Sequence, residues 1–270
     1  MNAFVHHFSF EFRTGVRNKQ LLLMNYLFPL GFYLLMGFIM PQINPPFRET
    51  LVPAMVVFAI LSATLLGIPD PLVTARENGV FRSYKINGIP AVSILLIPAL
   101  TTILHLVIVS GLILVTAPLL FQAPLPQNWL NFLVVFGAML LACAGISVLI
   151  GVVSANSRMT VLWSQIIFVP SMLLGGLMIP YNLLPKFAGK LAQLLPATHV
   201  MNAFSGLAMG GIADFSPWGS VIVLLVTGLL AFGLAWYLFC WDSRNTTRRG
   251  SVLMALLVLV PVLAGIFLFQ

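Results

Sequence analysis

Charge is what this sequence lacks most. Of its 270 residues only 7% are Asp, Glu, Lys or Arg, against about 25% in an ordinary soluble domain. A water-soluble fold cannot cover its surface with so few charges, so an aqueous domain of useful size is excluded. Cysteine is nearly absent too. Cys143 and Cys240 stand apart, in or at the end of apolar runs, which excludes a disulfide framework and offers no zinc-ligand spacing. There is no GxxxxGK(S/T) phosphate loop, no HExxH and no GxSxG. The chain therefore has no nucleotide cradle of that kind and no signature of zinc-peptidase or serine-hydrolase chemistry. The first apolar run starts near Leu21 and ends in Met40-Pro41-Gln42. It is too long for a signal h-region and lacks a small-x-small site, so a cleavable leader is not expected.

What fills the chain instead is apolar residues, 60% of the total. They fall in runs at about 21–40, 51–69, 91–121, 129–153, 161–179, 218–241 and 251–269. Each run is near the roughly 20 residues a helix needs to cross a bilayer. No Asp, Glu, Lys or Arg lies well inside any run, and a central charge would cost about 2.5–3.5 kcal/mol on insertion scales. The expected fold is an all-α integral membrane protein with about seven transmembrane helices. Unequal spans and dissimilar loops show no internal repeat, unlike the inverted-repeat secondary transporters.

The net charge is +7, and its placement fixes an expected orientation. With the N-terminus inside, segments 1–20, 70–90, 154–160 and 242–250 hold ten of the thirteen basic residues. Only Arg48, Lys186 and Lys190 fall outside. The positive-inside rule then predicts a cytoplasmic N-terminus and, with seven spans, an external C-terminus in the cell membrane. The basic balance is an orientation signal, and no nucleic-acid partner is expected.

Three segments carry more than hydropathy. In residues 1–20, Phe4, Val5, Phe8, Phe12 and Val16 share one helical arc opposite His6, His7, Arg13 and Arg17. That is the pattern of an amphipathic helix lying in the membrane interface, its partner being membrane lipid; a plain topogenic anchor is the other reading. The inner loop 70–90 carries five of the nineteen charged residues, mixed with Val80, Phe81, Tyr84 and Ile86. Such a mixture suits a short helix that docks into a groove on another protein, and Gly88 and Pro90 would end it. The stretch 180–212 is long and apolar but broken by Pro, Gly, Lys186 and Lys190. It fits a re-entrant helical hairpin entering from the outer face.

These segments, in this order among these spans, resemble the type-2 permeases of ATP-binding-cassette (ABC) transporters over about residues 2–241. Arg76-Glu77-x-Gly79-x-x-Arg82 followed by Gly88-x-Pro90 is similar to that family's cytoplasmic coupling helix. Pro180 through Gly211 is similar to its extracellular re-entrant hairpin, and the N-terminus to its connecting helix. The resemblance implies a transmembrane domain over 21–241, with 242–270 adding a basic inner loop and a helix beyond the usual six. It implies a permease subunit that is not itself an enzyme and binds no cofactor. ATP and Mg would sit on separate ATPase subunits, and a second permease chain, identical or similar, would complete the transporter. Arg76, Glu77, Asn78, Gly79, Arg82 and Lys85 would meet the ATPase, with Phe81 and Tyr84 filling its groove. The family places the pathway near the first, second and fifth spans, which here offer Asn25, Tyr26, Phe28, Tyr33, Ser164, Gln165 and Phe168. That lining is apolar and aromatic with scattered amides and hydroxyls. It suits outward movement of an amphipathic or lipid-like cargo such as a drug, lipid, peptide or glycan conjugate. The alternatives are an ion-coupled secondary transporter or an intramembrane enzyme. Histidine is the one ionisable side chain of the kind they need within the runs, at His105, with no carboxylate to pair it.

Overall fold

The computed structural model describes residues 19–242, 244 and 249–269. The expected interfacial helix, with Phe4, Phe8, Phe12, Arg13 and Arg17, lies outside the described residues. Among those described, every regular element is helical. Six helices are long and apolar enough to cross a membrane: Leu23–Ile43, Phe47–Glu77, Ala91–Phe121, Trp129–Val153, Ser157–Leu174 and Pro217–Leu238. We call them the first to sixth spans. The starts of the last three are capped by polar side chains. The Asn131, Met159 and Gly219 amides donate to Asn128 Oδ1, Asn156 Oδ1 and Ser216 Oγ at 3.0, 3.1 and 3.2 Å, satisfying amides that a helix start leaves unpaired.

The second span is the centre of the bundle. Its most apolar window is 94% buried, whereas the windows of the first and fifth are 28% and 22% buried. Those two therefore leave most of their apolar side chains for lipid or another protein. The fourth and sixth spans lie backbone to backbone. A Cβ placed on Gly145 would sit 2.7 Å from the Gly228 carbonyl oxygen, so this crossing needs glycine, as membrane helix contacts commonly do.

Residues beyond the fifth span form a 3-10 turn at Tyr181–Leu183 and helices at Lys186–Ala192 and Pro196–Ala203, then a π-turn at Phe204–Ala208. Every residue of Pro196–Ala203 is buried. Asn202 ties this segment to the sixth span. Its amide group donates to the Phe215 carbonyl and Ser220 Oγ at 2.9 and 3.1 Å, and its oxygen accepts from the Asp214 and Phe215 amides at 2.8 and 3.2 Å.

The C-terminal apolar run is shorter in residues than the six spans. It begins as a 3-10 helix, Val252–Leu259, and continues as an α-helix, Val260–Leu268. It runs back along the sixth span: Gly250 lies against Leu238, Gly265 against Val223, and the Ser216 amide donates to the Phe269 carbonyl at 3.2 Å. Eight residues at about 2.0 Å each and nine at about 1.5 Å reach about 30 Å. The 3-10 stretch thus lets few residues cover most of its neighbour's length.

Candidate functional site

The segment 70–90 folds into two short helices, Pro69–Glu77 and Val80–Ile86, set at an elbow. Gly79 joins them with a φ of 74°, which L side chains rarely adopt. The second helix ends in a Schellman motif. Gly88 has φ 71°, and the Ile89 and Gly88 amides donate to the Tyr84 and Lys85 carbonyls at 3.0 and 3.2 Å. The elbow is therefore a defined shape and not a wet loop.

Arg76 locks it in place. The side chain is 2% exposed. Nη1 donates to the Gly151 and Val152 carbonyls at 3.3 and 3.1 Å, and Nη2 donates to the Ser154 carbonyl. These carbonyls end the fourth span, where a helix has no amides left to offer and where its dipole is negative. Gly151 lets the elbow approach: a Cβ there would lie 3.0 Å from the Leu72 side chain. Phe81 is buried as well, with its ring centroid 5.5 Å from that of Phe239.

These placements correct two expectations. Arg76 and Phe81 face into the helix bundle and hold the elbow, so neither is on the surface to meet a partner. Tyr84 is half-buried. Among the residues the elbow presents outward are Glu77, Asn78, Arg82, Lys85 and Ile86. Ile86 is 79% exposed and is the large apolar side chain on the elbow's outer side, where the sequence had suggested Phe81.

The residues expected to line a pathway divide similarly. Phe28 and Gln165 are exposed on the first and fifth spans. Tyr33 is buried, with its hydroxyl 2.9 Å from Thr116 Oγ1. Ser164 and Phe168 are also buried, because they face the second span. Phe58 of that span, which the sequence did not single out, joins the set. Its ring lies 5.4 Å from Phe28, 4.0 Å from Phe32 and 5.9 Å from Phe168, centroid to centroid. One aromatic file thus connects the first, second and fifth spans. Phe58 was invisible within a uniformly apolar run.

Asn25 lies elsewhere, in the wall of a cavity of about 100 Å³ between the first three spans and the elbow, and Tyr26 reaches His105 of the same wall. Tyr26 Oη is 2.7 Å from His105 Nδ1 on the third span. Asn25 is 4% exposed and its side-chain oxygen has no hydrogen-bond partner.

In the segment after the fifth span, His199 Nε2 lies 2.8 Å from the Gln193 carbonyl. A carbonyl only accepts, so Nε2 carries the hydrogen. Burial pulls the imidazole down to about 4, which keeps it neutral near pH 7. Among the described residues no cluster of His, Cys, Asp and Glu could hold a metal ion, and Cys143 and Cys240 are both buried.

Residues 3–209 match the family described as ABC-2 type transporter. The chain is also similar to a Bacillus subtilis (strain 168) protein named "Putative transport permease YvfS", with 22% identity over 235 residues, 84% of this chain and 93% of that protein. No solved structure matches it.

Proposed function

We propose that this chain, which belongs to the ABC-2 type transporter family, is the membrane-spanning permease subunit of an exporter powered by a separate ATPase. The observation that carries the reading is the two-sided elbow. Its inner side is fixed to the fourth span by Arg76 and to Phe239 by Phe81. Its outer side offers the charged Glu77, Arg82 and Lys85 together with the exposed Ile86. An exposed apolar side chain on an elbow that also carries charges is a surface suited to docking on another protein. Because its inner side is rigid, a push on it moves the fourth span and the neighbouring second span together.

In this reading the elbow is cytoplasmic, and ATP and Mg bind the partner. Two permease chains face each other across their sparsely buried first and fifth spans. The cargo passes between them over Phe28 and Gln165, backed by Phe58 and Phe168. A lining without fixed charge suits an amphipathic or lipid-like molecule moving outward. Residues 180–212 form the re-entrant hairpin of the outer face. The C-terminal run, about 30 Å long and antiparallel to the sixth span, makes a seventh crossing that leaves its end outside.

The test replaces Ile86 and Arg82 together by glutamate. The variant should insert and fold as the parent does, yet lose co-purification of the ATPase and cargo-dependent ATP hydrolysis. ATPase binding and transport at parental levels would remove the assignment.

A further inference from the structure

The cavity between the first three spans and the elbow has a property that packing alone does not explain. All three helices around it break their hydrogen-bond ladders beside it. The first span passes through a π-turn at Leu23–Leu27, which contains Asn25. The second passes through a π-turn at Ser62–Leu66 and bends at Gly67 and Ile68, both of which line the cavity. The third carries Pro98 in its wall, and proline has no N–H to give the Ile94 carbonyl one turn back. Irregular backbone at membrane depth persists only where it is buried in protein or lines a polar space, and π-turns gather at functional sites.

The side chains there have one chemical character. Asn25, Thr101, Thr102 and His105 supply hydrogen-bonding groups, and among the described residues no Asp, Glu, Lys or Arg lines the wall. The Asn25 oxygen is an unpartnered acceptor on a side chain more than nine-tenths buried. The space of about 100 Å³ is well above the roughly 10–15 Å³ that a single water needs, so it has room for a small polar head group. Leu21, Leu72, Ile68 and Phe81 form an apolar surround.

We propose that this cavity binds the uncharged, hydroxyl-bearing head of an amphipathic molecule, whose hydroxyl donates to Asn25 Oδ1. The molecule's tail lies along the apolar surround. Its source is either the cargo or a resident membrane lipid, and the site chemistry is the same for both. Binding needs neither nucleotide nor the ATPase, so the site stands or falls independently of the exporter reading.

The experiment uses the full-length protein in nanodiscs and two photoreactive diazirine probes of equal chain length, a 1-monoacylglycerol and a fatty acid. Peptide mapping should place the monoacylglycerol label on residues 21–25 and 98–105, at least tenfold above the charged fatty acid. Asn25→Leu should cut that label about tenfold. Ala75→Phe, which fills the cavity from the elbow side, should do the same, and thermal midpoints near the parent's show that both variants fold. Equal labelling by the two probes, or full labelling in folded Asn25→Leu, would overturn the site and leave a solvent-filled gap. Repeating the labelling under ATP turnover with the partner separates the sources. A label that falls marks cargo, and one that persists marks a resident lipid, and either keeps the site.

Discussion

Replacing Arg76 by alanine removes a buried guanidinium that serves three carbonyls at the end of the fourth span. A hydrogen bond to a charged group contributes about 1.5–3 kcal/mol, and a buried acceptor left unpaired costs about 1–3 kcal/mol. These effects overlap, because the carbonyls share one donor, so the net loss should be about 3–5 kcal/mol. At about 2–4 °C per kcal/mol for chains of 150–250 residues, the thermal midpoint should drop by about 6–20 °C. Arg76→Lys should recover only part, since an ammonium cannot span three acceptors as the planar fork does. Arg82→Ala, on the exposed side, should stay within about 0.5 kcal/mol of the parent. The assay is fluorescence-detected gel filtration of heated, detergent-solubilised protein. Equal midpoints for Arg76→Ala and Arg82→Ala would refute the capping role and free Arg76 for a partner.

Other expectations follow from buried polar groups. Asn202→Leu leaves the Asp214 and Phe215 amides without their acceptor and should cost about 2–4 kcal/mol, read as a lower midpoint in the same assay. His199 is held neutral by burial, with its pKa down at about 4, while the unfolded chain takes up a proton near 6.5. Its contribution to stability is therefore complete above about pH 6.5 and is lost as pH falls toward 4. His199→Gln should flatten the midpoint-versus-pH curve across that window, and an unchanged acid slope would place its origin elsewhere.

The spans were legible because a run of about twenty apolar residues has few other uses, and the elbow was legible because charge and aromatic residues alternate in it. The direction each elbow residue faces was legible only in part. Arg76 falls one helical turn after Leu72 and Val73, the buried face of its helix. That spacing was the available signal that Arg76 points inward. Arg82, Lys85 and Ile86 share the opposite kind of face, exposed at i, i+3 and i+4. The π-turn that swings Asn25 toward the third span leaves no mark in hydropathy, and so Asn25 was expected on an open pathway. Asn202 was hidden for another reason: its four partners come from residues 12 to 18 positions away, and a lone asparagine in an apolar segment does not reveal them. The 3-10 stretch of the C-terminal run is equally silent, since composition gives its hydrophobicity and not its rise per residue.

Sidedness of the elbow tests the central claim most directly. Cys143 and Cys240 are buried, so a single Ile86→Cys, exposed on the elbow, gives a clean signal to a membrane-impermeant maleimide. The account predicts no labelling in intact cells and full labelling in inside-out vesicles, with protection when the ATPase is bound. Labelling of Ile86→Cys from outside intact cells would contradict it.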